Sequence, residues 1–252
     1  MYNVEEYWSD VAKRMSVRKK NRLVAGDSEP FYEYKREEFL KLLKSNDFAN
    51  KNVLEVGPGP GGNLIEISKF RPSSLTGVDI SPEMVKLATE NTKNIENVEL
   101  VKINGTDIPF NDNKFDIVYT ATVLQHITDE NMLKSLVQEI CRVSNNQIII
   151  CERIEKSFKG DALNHGRTIQ YYTDLFGQHG FKMKSVKFIN IQYSYLLAGA
   201  TRKLLNRKNR IEGEPLTGFS IGVQNVLMPV TKILDKIFPA DRDLGMLIFE
   251  KG

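Results

Sequence analysis

Eleven residues, Val53-Leu54-Glu55-Val56-Gly57-Pro58-Gly59-Pro60-Gly61-Gly62-Asn63, constrain this chain more than any other stretch. They read as a buried strand, a glycine turn and a helix that opens near Asn63. Glycines at 57, 59 and 61 remove Cβ atoms from the turn, so backbone N–H groups approach a ligand closely and positive φ is permitted. Such a turn is the binding end of an α/β unit. Gly57, Gly59 and Gly62 satisfy G-x-G-x-x-G, the turn of dinucleotide-binding folds. Glu55, two residues before Gly57, instead fits E-x-G-x-G-x-G, a methyl-donor loop. A carboxylate among apolar neighbours is costly unless a cation or a hydrogen-bond donor meets it. A sulfonium ligand with an amino group supplies one, directly or through water. A glycine turn without a ligand is the plain alternative.

The chain is long enough, at 252 residues, to bury a full core without a second domain. A hydrophobic content of 41% and a charged content of 27% are ordinary for a globular protein. The net charge of +3 is too small to point to nucleic acid. Cys141 and Cys151 suggest no disulfide framework, and His126, His165 and His179 have no metal-ligand spacing. No metal is expected, and a reducing cytoplasm is the expected setting. The polar start Met1-Tyr-Asn-Val-Glu-Glu does not read as a secretory signal, and no apolar run approaches a membrane span.

Residues 1–50 are expected to form a helical cap before the α/β domain of residues 51–252. Lys13, Arg14, Arg18, Lys19, Lys20 and Arg22 make either a solvated face or a lid over an anionic acceptor. Tyr7 and Trp8 are core aromatics or a cover for a bound cofactor. A helix opens at Ser28-Glu29-Pro30. On it Tyr32, Arg36, Phe39 and Leu43 share one face. Arg36 then meets either a ligand carboxylate or a salt-bridge partner at the edge of the core.

Beyond the glycine turn, strand and helix alternate. Ser74 to Asp79 is a short strand ending in an acid, placed to bind a ribose hydroxyl pair. Ser81-Pro82-Glu83 opens a helix. Val98–Ile103, Lys114–Tyr119 and the apolar run Gln147–Cys151 are further strands, the last buried on both faces. The alternation predicts an α/β, doubly wound, mostly parallel sheet. Ligands bind such sheets at the carboxyl ends of the strands, where the Gly57 turn, Asp79, Asn104 and Thr120 fall.

Glu55-x-Gly57-x-Gly59-x-Gly61, Asp79 ending the second strand, Asn104-Gly-Thr-Asp-Ile-Pro-Phe, Phe115-Asp-Ile-Val and Val123-Leu-Gln-His-Ile together resemble the class I S-adenosylmethionine-dependent methyltransferases, over about residues 50–152. The resemblance implies seven strands with an antiparallel last strand, here at Gly245-Met-Leu-Ile-Phe249, and S-adenosylmethionine as the cofactor. It places Glu55 and Gly57 near the methionine part, Asp79 on the ribose hydroxyls and Ile80 against adenine. Asn104 would read the adenine amino group, with the Gly105 N–H toward the ring. The family commonly has Asp at that position, and an amide oxygen still accepts from the amino group.

A helical insertion, residues 190–243, precedes the last strand and is long for a connection. Substrate choice belongs there and in the loop after the fifth strand. Arg153, Arg167, Tyr193 and Tyr195 are the candidate acceptor contacts. Arg202, Lys203, Arg207, Lys208 and Arg210 form a basic run. Val223, Val226, Leu227, Val230, Ile233, Leu234 and Ile237 recur at helical spacing and are expected to pack on the parent domain, with Pro229 kinking or splitting the helix. Contact with a membrane surface is the alternative for this stripe. The expected reaction is methyl transfer to a hydroxyl of a small-molecule or glycan acceptor, anionic or lipid-linked acceptors included. His165 is the first candidate base, then Glu152 and His126. The alternatives are N-methyl transfer to an amine or protein side chain, a nucleic-acid-binding protein and a cofactor-binding protein without catalysis.

Overall fold

A computed structural model describes residues 3–16, 23, 29–207, 214 and 216–252. Arg18, Lys19, Lys20, Arg22, Ser28, Lys208 and Arg210 lie outside the described residues.

Seven strands form one sheet: β1 Asn52–Val56, β2 Ser74–Asp79, β3 Val98–Lys102, β4 Phe115–Ala121, β5 Ser144–Ile154, β6 Phe181–Phe188 and β7 Asp243–Lys251. Their spatial order is β3-β2-β1-β4-β5-β7-β6. The pairs among β1 to β5 are parallel, whereas β7 runs antiparallel between β5 and β6. The expected sheet is therefore present, including the antiparallel last strand. Its order reverses beside β1 and β4, so the crevice of an open sheet falls next to the glycine turn.

Alternation along the strands divides the core into two layers. Leu54, Val56, Val118, Ile148 and Ile150 face the layer that contains α5, Glu130–Val143. Val53, Ile117, Tyr119, Ile149 and Cys151 face the layer that contains α2, Pro30–Leu43. The run Gln147–Cys151 is apolar because β5 is covered on both sides.

Helix starts follow local chemistry. Ser81 accepts from Met84 N–H at 3.1 Å and caps α4, Pro82–Thr92, with Pro82 in its first turn. Asp129 accepts from Asn131 and Met132 N–H and caps α5. Thr168 caps α6, Ile169–Gly177. Helix α3, Gly62–Ser68, starts directly from the glycine turn.

The N-terminal region forms α1, Val4–Ser16, and α2. Val11, Ala12 and Met15 of α1 pack on Met84 of α4. The insertion forms α7, Gln192–Leu205, and α8, Gly218–Ile237. Pro229 stands inside α8 without ending it. The insertion is latched to the start of α2 through Glu29, which accepts from Arg202 and from Gln224 Nε2 at 2.7 Å.

The expected packing of the α8 stripe is overturned. Val226, Val230, Ile233 and Ile237 are exposed, and the buried residues of this helix are Ser220, Gln224, Met228 and Asp235. The helical period is as expected, but the polar face turns inward because its side chains find buried partners.

Candidate functional site

One cavity of about 590 Å³ gathers residues from the carboxyl ends of β1, β2 and β4 and from α1, α2 and α7. Gly57 and Gly59 form part of its wall, with φ of +71° and +53°. A Cβ on Gly57 would collide with the Val123 side chain. The Gly57 N–H donates to Val78 O at 2.8 Å, which ties the turn to β2. Gly61, also at positive φ, does not line the cavity; a Cβ there would press on Ala88 and Thr92 of α4 at 3.3 Å. Its role is close helix packing.

Asp79 lies at the rim of the cavity, 6% exposed. Its Oδ2 accepts from Gly59 N–H at 3.1 Å and its Oδ1 from Ser81 N–H at 2.9 Å. Burial pushes its carboxyl up to about 6, against the pull of those N–H groups. Ile80, Gly105 and Met132 line the same cavity beyond it. Gly105 has φ of +95°, and a Cβ there would stand 2.8 Å from Ile80 Cδ1 and 2.5 Å from Met132 Cε, so only glycine fits between them. A carboxylate for a hydroxyl pair beside apolar walls in one cavity is the lining an adenosyl group needs, so the residues present fit it.

Glu55 sits one layer behind. It is fully buried, and its oxygens accept from Asn63 Nδ2 at 2.9 Å and Tyr119 Oη at 2.8 Å. Asn63 Oδ1 in turn accepts from Arg36 at 3.0 Å. Asn63 and Arg36 line the cavity, and Glu55 does not. Glu55 thus reaches the cavity only through Asn63, whereas the Arg36 side chain lines it directly. Burial pushes Glu55 up to about 7 and lowers Arg36 from its usual value, with each charge supporting the other.

Three further candidates for the cofactor and the base are displaced from the cavity. Asn104 is exposed, and its Oδ1 accepts from Thr106 and Asp107 N–H at 3.0 and 2.9 Å, a local turn. Thr120 is fully buried and donates to Glu152 Oε1 at 2.8 Å. Glu152 is also fully buried; it accepts from Val123 and Gln125 N–H as well, both at 3.1 Å. That carboxylate is consumed in holding the turn Leu124–His126, and burial raises its pKa.

His165 is likewise outside the cavity. It belongs to a two-residue ribbon and stacks edge-on with Phe158 at 4.9 Å. Arg167, 1% exposed, donates to Leu124 O, Ile127 O and Glu130 Oε1 at 2.8–2.9 Å. It is a staple and contacts no ligand space. Tyr193 packs on Phe238 at 5.5 Å away from the cavity.

His126, Arg153 and Tyr195 do line it. His126 Nδ1 lies 3.0 Å from Leu163 O, an acceptor only, so Nδ1 carries the proton and Nε2 is the basic nitrogen, 3.3 Å from Gln125 Nε2. Its ring meets Trp8 edge-on at 5.1 Å. Trp8 therefore walls the cavity while it also packs against the α1–α4 core cluster. Two cavity residues escaped sequence reading. Asn63 was read only as a helix start. Thr122 is a β-branched residue at φ +57°, beside the Gly57 turn. Such strain is held by surrounding structure and gathers at binding sites; no local sequence signal marks it.

Among the described residues, no grouping of His, Cys, Asp and Glu could hold a metal ion. Residues 53–147 match the family model of a methyltransferase domain. Demethylmenaquinone methyltransferase of Tropheryma whipplei is 28% identical over 106 residues, 41% of this chain and 42% of that protein. Norajmaline N-methyltransferase of Rauvolfia serpentina is 31% identical over 97 residues, 37% of this chain and 32% of that protein. The chain thus spans less than half the length of these curated relatives. Among solved structures, magnesium protoporphyrin IX methyltransferase of Synechocystis, with bound S-adenosylmethionine, superposes with a TM-score of 0.61 at 11% identity, over 99% of this chain and 95% of that one. The turn, the β2 acid and the sheet order agree with the family match: residues 53–147 form a methyltransferase domain with the sheet of the class I S-adenosylmethionine-dependent enzymes, which implies S-adenosylmethionine as the cofactor.

Proposed function

We propose that the chain moves the methyl group of S-adenosylmethionine to an oxygen of a small, largely apolar and uncharged acceptor. The observation that carries this reading is the continuity of one cavity from the Gly57 turn and Asp79 to an aromatic end that contains His126. When bound, the cofactor supplies an activated methyl group on a sulfonium. Asp79 takes the ribose hydroxyls, Ile80 and Gly105 flank adenine, and Arg36 meets the amino-acid carboxylate. His126 Nε2 receives the acceptor proton. Trp8, Phe39 and Tyr195 orient the acceptor and exclude water.

The uncharged acceptor follows from the cations around the cavity. Arg153 donates to Glu155 at 2.9 Å, Arg202 is paired with Glu29, and Lys35 lies 3.8 Å from Asp243. Each charge has a carboxylate partner within the protein, which weakens the case for an anionic acceptor. Acceptor choice falls in this reading to the cavity residues of α1, α2 and α7, outside the α/β core. An amine acceptor, as the name of the Rauvolfia relative indicates for that protein, is separated from a hydroxyl by its weaker demand on a base.

Calorimetry and label transfer test this reading. Asp79→Ala is expected to weaken S-adenosylhomocysteine binding by roughly tenfold to a hundredfold, the worth of charge-assisted hydrogen bonds. Affinity within about twofold of the parent would remove Asp79 from the site. Heat with NAD and none with S-adenosylhomocysteine would overturn the cofactor assignment.

Cofactor binding should also depend on pH. Glu55 and Asp79 are pushed up to about 7 and about 6, so the fold favours their neutral forms. Their contribution to stability is complete below their ordinary carboxyl values and is lost as pH rises through 6 and 7. The ligand-free protein should lose on the order of 3 kcal/mol of stability between about pH 5 and 8. The adenosyl ligand favours the ionised forms, so its stabilising effect should grow over the same window. Thermal unfolding with and without S-adenosylhomocysteine at both pH values measures this; a gap that shrinks toward high pH contradicts it.

A further inference from the structure

Helix α8 is built inside out. Gln224, Ser220 and Asp235 are 0% exposed, whereas Val226 is 73% and Ile233 59% exposed. Phe219, Val226, Val230, Ile233 and Ile237 follow +7, +4, +3 and +4 steps and share one outward face. On α7, Leu196 and Leu204 are exposed as well.

The inward polar groups are satisfied. Asp235 accepts from Tyr193 N–H at 2.7 Å and from Ser194 Oγ at 2.6 Å, which caps the start of α7. Thr231 Oγ1 is 2.8 Å from Ser194 Oγ, and Gln224 bridges Glu29 and Thr201. Polar contacts between helices with apolar outer faces are the pattern of elements solvated by lipid. An apolar face of this extent left to water marks an interaction surface.

Charge selects the occupant. Neither helix contains a carboxylate other than the buried Asp235. The charges beside the stripe are Lys203, Lys236 and half-buried Lys232, with Arg207 just beyond α7. Two-fold contact with a second copy would set these cations against one another. An anionic lipid surface complements them and takes up the apolar stripe. Among the described residues no helix is long and apolar enough to cross a membrane, so the hairpin lies in the interface plane. Tyr195, next to Leu196 on α7, lines the cavity, so the same helix takes part in both.

We propose that the α7–α8 hairpin docks on an anionic lipid bilayer, with Val226, Val230, Ile233 and Ile237 among the acyl chains and Lys203, Lys232 and Lys236 at the headgroups. This surface is independent of the methyl-transfer reading, because vesicle binding is measured without turnover.

The test is flotation of the full chain with phosphatidylcholine–phosphatidylglycerol vesicles and with phosphatidylcholine alone. The chain should float with the anionic vesicles and far less with the neutral ones. V226D/I233D should lower that binding by roughly tenfold or more. Both side chains face outward, so calorimetry with S-adenosylhomocysteine should show the variant folded and binding as before. K203E/K236E should remove the preference for anionic vesicles. A chain that stays in solution with both vesicle types overturns the proposal, as does flotation unaltered by V226D/I233D. A dimer by light scattering that V226D/I233D dissociates, without flotation of the parent, assigns the stripe to a second copy and also overturns it.

Discussion

His126→Ala is expected to slow methyl transfer to a hydroxyl acceptor by about 10²–10⁴-fold, the range for loss of a positioned general base. Of the three candidate bases only His126 lines the cavity; Glu152 is spent on backbone N–H groups and His165 stacks on Phe158 outside it. Its proton on Nδ1 is held by Leu163 O, which leaves Nε2, 3.3 Å from Gln125 Nε2, as the basic nitrogen. The loss should fall on kcat, with S-adenosylhomocysteine affinity preserved, and the limb of the pH–rate profile assigned to the imidazole should vanish. His165→Ala should leave kcat within about twofold, because that ring lies outside the cavity and its polar contact, Arg167 Nη2 at 3.4 Å, keeps its hydrogen bonds to the turn without it. Reversed effects of the two variants would transfer the assignment to His165. Equal and small effects of both would favour an acceptor without a base requirement, such as a neutral amine.

Arg167→Met should lower stability by roughly 2–5 kcal/mol, the cost of leaving two buried main-chain carbonyls without their donors. The guanidinium is 1% exposed and donates to two main-chain carbonyls of the segment after β4 and to Glu130. Methionine fills much of the volume but leaves Leu124 O and Ile127 O without those donors. For a domain of this size the midpoint of thermal unfolding should fall by about 10 °C or more. Arg167→Lys should also be destabilised, since a single ammonium cannot span the fork of acceptors. A midpoint within about 2 °C of the parent would show that the segment is held by Glu152 alone. The same variant should raise KM, because the segment Leu124–His126 carries the candidate base between the two anchors.

Which acids and bases reach the ligand space was not legible in the chain. Glu152, Asp79 and Glu55 all stand at or near the end of a strand. Asp79 keeps a place at the cavity because its two N–H donors come from the turn beside it. Glu152 meets three donors from β4 and the following turn and is closed off. Glu55 is screened by Asn63, in the first turn of α3. Sequence position assigned each a strand end; the hydrogen-bond partners within 3.1 Å decided its role. Asn104 illustrates the same point, since an Asx turn with Thr106 and Asp107 satisfies its amide locally.

The chain by itself determined the α/β order, the glycine turn, the helix cap at Ser81 and the acid that ends β2. These rest on local rules of backbone conformation, capping and period. Tertiary structure alone decided which histidine meets the cavity, that Arg167 is a staple, and which face of α8 turns inward. Those outcomes depend on hydrogen-bond partners far apart in the chain, such as Glu29 with Gln224 and Arg167 with Leu124. A buried polar group is tolerated only where such a partner arrives, and no pattern along the residues themselves specifies that meeting.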